Sequence, residues 1–358
     1  MRSMKQVRER ITSVTGTRQM TATMKVVALA KLKKKHARLL QAAPYLTEMD
    51  RMIRRLSRSV STRQEEQMQN GHQVHLLSKL LTGNVQDQKY VVVAITSDTG
   101  LNGGNVLTVL QKTVELVNFL LSQQKEVQIV SFGTKGESFL KNAFPQLTVH
   151  SLSRKTLEKE QGYLSAARLV ADLIQSFQEG RVDTCLMVYN HFENMAVQHP
   201  TIRQLIPNHE YENENPWNFL IHPEDVYQRK NALGQAQLAL KKAELYKALG
   251  HKNISGPWGQ MNTEILHATT RRPDAYDYEP SDNTLLNQML PTYLITYLHT
   301  ILLESAVCDE AARLMAMDNA THNADEMLSD LSREYRHLRQ DKITTQTIQL
   351  MSGVMAGG

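Results

Sequence analysis

The stretch Thr96-Ser97-Asp98-Thr99-Gly100-Leu101-Asn102-Gly103-Gly104 carries the residues best suited to chemistry. It is a glycine-rich turn between a β-branched run and a helical pattern. Phosphate binders use that position, because backbone N–H groups at a helix N-terminus converge on anions. The spacing is neither GxGxxG nor a P-loop, and no GK[ST] occurs. The commoner use of such residues is a tight strand-to-helix turn in which Asp98 and Asn102 satisfy backbone amides. Between His191 and His209 three histidines lie near Glu193 and Glu210, but without the i, i+4 spacing on a helix that zinc sites show, so surface histidines are expected. Glu304, Asp309 and Glu310 are candidate acid–base carboxylates that read more simply as a solvated helix face. The run Lys31-Leu32-Lys33-Lys34-Lys35-His36-Ala37-Arg38 has the charge to hold nucleic acid or acidic lipid. It lacks interleaved aromatics, and Leu32, Leu39 and Leu40 continue an apolar face, so a cationic helix against an acidic protein surface fits better.

The elements that carry these residues fall into three parts. At the N-terminus Met4, Val7, Ile11 and Val14 have the 3-4-3 spacing of a coiled-coil seam, which is expected to resume at Met20, Met24 and Val27 after Gly16. Met317, Ala320, Ala324, Met327, Leu331, Tyr335 and Leu338 predict a matching seam at the other end. Two such ends, separated by globular sequence, imply a chain that folds back to zip them into a shaft. Pro44 predicts a kink in the first helix, and 59–88 reads as a loop. Then strands are expected at Tyr90–Ile95 (YVVVAI), Val127–Phe132, Leu147–Leu152 and Thr184–Tyr189, with helices at Asn105–Gln124, Lys135–Asn142 and Tyr163–Phe177. Thr201–Pro207 suits an edge strand. This alternation predicts an α/β sheet, at least partly parallel. Proline-free sequence runs from Thr292 to the end and, if most of it is helical, spans roughly 85 to 95 Å. The expected division is an N-terminal coiled-coil helix over 1–58, a Rossmann-like α/β domain over 59–207, an inserted subdomain over 208–284 with a helix at 226–249, and a C-terminal coiled-coil helix over 285–358.

Composition narrows the class. Sparse aromatics (6%) and 16 methionines favour a helix-rich protein with seams filled by unbranched side chains. No run of eighteen apolar residues spans a bilayer, no secretory signal core is present, and the first residues read as mature helix rather than a transit peptide. Cys185 and Cys308 are far apart, which predicts buried thiols in a reducing compartment. Residues 1–58 carry 15 Lys/Arg against 3 Asp/Glu, so the remainder stands at −7 against a whole-chain +5. The basic first helix must therefore face something acidic or very wet.

Thr17-Arg18-Gln19-Met20-Thr21-Ala22-Thr23-Met24-Lys25-Val26-Val27-Ala28-Leu29-Ala30-Lys31 resembles the T-x-x-I-T-x-A-M-x-M-V-A-A-S-K stretch of the gamma subunit of F-type ATP synthase. Ala311-Ala312-Arg313-Leu314-Met315-Ala316-Met317-Asp318-Asn319-Ala320-Thr321-His322-Asn323-Ala324 is similar to that family's AARMxAMxxATxNA signature. Ser97 to Gly104 is similar to its SDRGLCGG turn, and Pro200 to Pro207 to its PTIxxLLP segment. The resemblance implies a central-stalk rotor of a proton-translocating ATP synthase, not itself catalytic and needing no cofactor or metal. Its implied partners are the alpha and beta subunits of the head, the epsilon subunit and the membrane c-ring, on the cytoplasmic face of a bacterial inner membrane. It also implies head contacts at Met24, Lys25, Arg313, Arg339, Gln340 and Thr344, and a middle-domain turn built on Asp98, Gly100, Gly103 and Gly104. Thr99 and Asn102 depart from the arginine and cysteine of that turn, and Thr23 and Lys25 from the usual neighbours of the seam methionine. Residues 208–282 exceed the family pattern and lack the paired cysteines of its redox-regulated form, so we expect an extra docking surface there rather than a thiol switch.

Overall fold

The computed structural model describes residues 3–68, 80, 83, 87–152, 161–207, 279 and 282–356. The subdomain expected at 208–284, including its helix at 226–249, lies outside these apart from residue 279 and the first turn of the last helix. In chain order the elements are α1 (Met4–Met68), β1 (Lys89–Ile95), α2 (Asn105–Ser122), β2 (Glu126–Phe132), α3 (Thr134–Ala143), β3 (Val149–Leu152), α4 (Gln161–Gln178), β4 (Thr184–Phe192), β5 (Gln198–Ile206) and α5 (Asp282–Ala356). The fold class is as expected: long N- and C-terminal helices and a central mixed sheet.

Two compact units result. One comprises 1–32, 101–103 and 310–358; the other comprises 33–100 and 104–309. In the second, the strands run in the order β3-β2-β1-β4-β5, parallel except for the antiparallel edge strand β5. β1 reads as a continuous apolar run because both its faces are covered. Val91, Val93 and Ile95 point into a core shared with α1, α4 and α5 through Leu46, Ile53, Leu173, Tyr293 and Leu298. Tyr90, Val92 and Ala94 point into a second core with α2 and α3 through Leu116, Val117, Leu120 and Leu140. Period-two alternation thus sends successive residues of one strand to opposite helical layers.

The unit made by the chain ends is an antiparallel helix pair. Val7, Val14, Ala324 and Leu331 are buried together, with Ile11, Leu328, Tyr335 and Leu338 packed around them. As the α1 partner rises by seven from Arg18 to Lys25, its α5 partner falls by seven, from Asp325 to Asp318. That opposite drift fixes the antiparallel sense.

Two expectations need correction. The α1 helix runs on to Met68, into the stretch read as loop, because Ser57 to Met68 contains neither glycine nor proline and is rich in Arg, Gln and Glu. As expected, it continues past Pro44, which is exposed, as is Leu40 one turn earlier, so the carbonyl that loses its helical donor faces water. The last helix starts at Asp282 and passes through Pro291, ahead of the proline-free stretch from Thr292.

Candidate subunit interface

The heptad that begins at Met4 never changes phase. Its two seam positions fall at Val7, Val14, Thr21 and Ala28, all buried, and at Met4, Ile11, Arg18, Lys25 and Leu32. The seam therefore does not move to Met20 and Val27 after Gly16. Those two side chains are exposed, Met20 by 60% and Val27 by 49%, and Val26 by 66%. Polar side chains fill the seam instead. Arg18 Nε pairs with Asp325 Oδ1, the Thr321 hydroxyl donates to Thr21 Oγ1 at 2.9 Å, and Lys25 Nζ donates to Asp318 Oδ1 at 2.6 Å. On α5 the heptad runs through Met317, Thr321, Ala324, Leu328, Leu331, Tyr335 and Leu338, so Met327, expected in the seam, stands outside it and is exposed while Leu328 packs inward. Over 18–27 polar side chains take the seam positions, the charged ones about half exposed, while Met20, Val26 and Val27 stand outside.

The residues expected at the head contact fall into two groups. Met24 is half-buried beside Lys25, whose ammonium is already held by Asp318. Arg313 is largely enclosed and pairs with the buried carboxylate of Glu310, one turn earlier on α5. Arg339, Gln340 and Thr344 are exposed on the later turns of α5, together with Ile343, Ile348, Leu350 and Met351. From Asp318 to Arg339 is about 30 Å along the helix, so one partner loop cannot touch both groups.

The glycine-rich turn builds structure. Asp98 Oδ1 accepts the Thr134 backbone N–H at 2.8 Å, which places a carboxylate on the N-terminus of α3 from the loop after β1. Gly104 caps α2 without a side-chain bond and Gly100 is exposed. Gly103 has φ +57, and a Cβ there would lie 3.9 Å from the Ala316 methyl, an ordinary contact.

The acidic residues read as a solvated face are buried. Glu304, Asp309 and Glu310 are between 2% and 6% exposed. Helical periodicity marks one apolar face, but in this stretch α5 is enclosed on several sides, with Val307, Cys308 and Ala311 also at 0%. Glu304 Oε1 accepts the Phe192 N–H at 3.1 Å and lies 2.6 Å from His191 Nδ1. Asp309 Oδ1 accepts from Asn105 Nδ2 at 3.0 Å. His191 is thus a partner of a buried carboxylate rather than a plain surface residue, whereas His199 and Glu193 form an exposed pair at 3.0 Å. Among the described residues no group of three or more His, Cys, Asp or Glu side chains is arranged to hold a metal. Both cysteines are buried, and burial pushes the Cys185 thiol well above its ordinary pKa.

A family profile described as ATP synthase matches residues 3–356. The ATP synthase gamma chain of Gluconobacter oxydans is 31% identical over 99% of this chain and 100% of its own length. The chain belongs to the ATP synthase gamma family. The gamma chain of Rhodospirillum rubrum is also 31% identical, with the same coverage. Among solved structures, the fold resembles a chain in the OSCP/F1/c-ring portion of the Euglena gracilis mitochondrial ATP synthase, with TM-score 0.56, 14% identity, and coverage of 99% of this chain and 94% of that one. A chain of the same enzyme's rotor gives TM-score 0.52 at 16% identity, covering 95% and 98%. As a gamma chain it is a non-catalytic central-stalk subunit of the membrane-associated ATP synthase complex. No helix of the described residues is long and apolar enough to cross a membrane.

Proposed function

We propose that this gamma chain seats its paired terminal helices in the alpha/beta head through two rings of contact. The segment of α1 from Arg18 to Val27 is the observation that carries this reading: Met20, Val26 and Val27 face outward while Thr21 is buried and the half-exposed Arg18 and Lys25 pair with Asp325 and Asp318 of α5. Exposed hydrocarbon around a polar seam suits a surrounding apolar sleeve, against which smooth side chains turn without exchanging hydrogen bonds. Met24, Lys25 and Arg313 belong to this ring. A second ring, at Arg339, Gln340 and Thr344, offers donors that bind loop carboxylates and carbonyls and can change partners as the rotor turns. The sheet unit meets the epsilon subunit and the c-ring, and residues 208–282 add a docking surface there. The complex sits on the cytoplasmic side of a bacterial inner membrane.

The mechanism is differential contact. A helix pair with no threefold symmetry presents a different face to each of three equivalent catalytic sites, so each orientation favours a different conformation at each site. Rotation of the c-ring thereby changes nucleotide affinity without gamma touching a phosphate. In the purified complex one copy of this chain should accompany three alpha and three beta subunits. A one-to-one ratio with either would contradict the rotor reading.

A further inference from the structure

The last helix meets the sheet in two chemically different ways. From Leu286 to Leu302 the contact is largely apolar, through Leu290, Tyr293, Leu294, Tyr297, Leu298 and Ile301, with the Tyr293 hydroxyl also donating to Asp50 Oδ1 of α1 at 3.1 Å. Apolar contact is non-directional, and a helix twisted about its axis can roll over it. Beyond Leu302 the contact becomes polar and specific. Glu304 and Cys308 lie one turn apart and Asp309 follows, all buried. The partners of Glu304 and Cys308, namely Asn190, His191 and Phe192, are consecutive residues at the end of β4. Glu304 takes the Phe192 N–H and the His191 ring, and the Cys308 thiol donates to the Asn190 carbonyl at 3.1 Å. The Asn190 amide in turn donates to the Asn105 carbonyl at 2.8 Å, and the Asn105 amide reaches Asp309, which ties the first residue of α2 into the same network.

A buried carboxylate is a costly way to hold a helix, because packed hydrocarbon of similar volume holds it as well or better. Hydrogen bonds offer direction: they fix the rotation of α5 about its own axis relative to β4. We propose that Glu304, Cys308 and Asp309, with Asn190 and His191, form a torque clamp that passes rotation of the sheet unit to the C-terminal helix. These are positioning residues. The proposal rests on the rotor reading above, because only a rotor needs its helix held against roll under load.

The test uses the complete membrane-bound complex in sealed vesicles, comparing ATP hydrolysis with the ATP-driven membrane potential. The parent chain must support both, and its failure to do so would count against the rotor reading itself. In the double variant Glu304→Leu with Cys308→Ala, the complex assembles and hydrolyses ATP with a modestly lowered melting temperature, because the Phe192 N–H loses its acceptor, while the potential built per ATP is lost. Glu304→Gln keeps an acceptor for the Phe192 N–H and should recover most of the coupling. If the double variant does not assemble, Cys308→Ala alone removes one bond with little change in volume, and a partial loss of coupling is expected. An unchanged ratio of potential to hydrolysis in an assembled variant overturns the clamp, as does a loss of melting temperature that fully tracks the loss of coupling.

Discussion

Gly133 stands where β2 turns into α3, with φ +106, and a Cβ there would lie 2.6 Å from the Thr96 carbonyl oxygen. Both the left-handed backbone and the close approach demand glycine. Gly133→Ala should lower stability by about 1–3 kcal/mol in chemical denaturation, and an unchanged midpoint would show that the loop relaxes freely. His299 on α5 tests burial in another way. Its Nδ1 is enclosed with no hydrogen-bond partner, and its ring meets that of Tyr163 edge-on at 5.7 Å. Burial pushes its pKa below the ordinary 6.5. The folded state therefore binds fewer protons than the unfolded one near that pH. The resulting stability is complete above the unfolded value and is lost as pH falls through about 6.5 toward the depressed folded value. His299→Leu should melt with a flatter pH dependence than the parent between about pH 7 and 5. Parallel curves would mean that the ring is freely solvated.

Along the helix pair, the polar layers at Arg18, Thr21 and Lys25 set register at some cost in stability. The Lys25–Asp318 pair is about half exposed, with side chains at 43% and 51%, so solvent screens much of its attraction. Lys25→Glu should destabilise the pair by only a few tenths of a kcal/mol, and adding Asp318→Lys should restore it, as read from a double-mutant cycle in denaturant. Additive effects would show that the two side chains do not interact. The seam was partly readable from sequence. Val7, Ile11 and Val14 announced it, but following hydrophobicity alone moved it onto Met20, Met24 and Val27, because a polar seam has no apolar signature. Keeping the phase of seven from Val14 leads to Thr21 and Ala28 and leaves Met20 outside. On α5 likewise, hydrophobicity alone favours Met327, whereas the phase of seven puts Leu328 in the seam.

For the chain as a whole, local pattern was enough wherever one element's burial repeats along itself. YVVVAI announces a strand covered on both faces, and the return of strand and helix through Ile206 announces the α/β sheet. Pattern failed where burial depends on distant partners. Glu304 and Asp309 look like a solvated face until β4 and the start of α2 are laid beside them. The proposed contact residues Arg339, Gln340 and Thr344 carry no signal of their own, since an exposed polar side chain looks like any other. The whole account depends on this chain turning inside the head. With the alpha/beta head fixed to a surface and an optical probe attached at Gln123→Cys in the sheet unit, ATP should drive continuous rotation in one direction, with three pauses per turn from the three catalytic sites. A probe that stays fixed relative to the head while ATP is hydrolysed would contradict it.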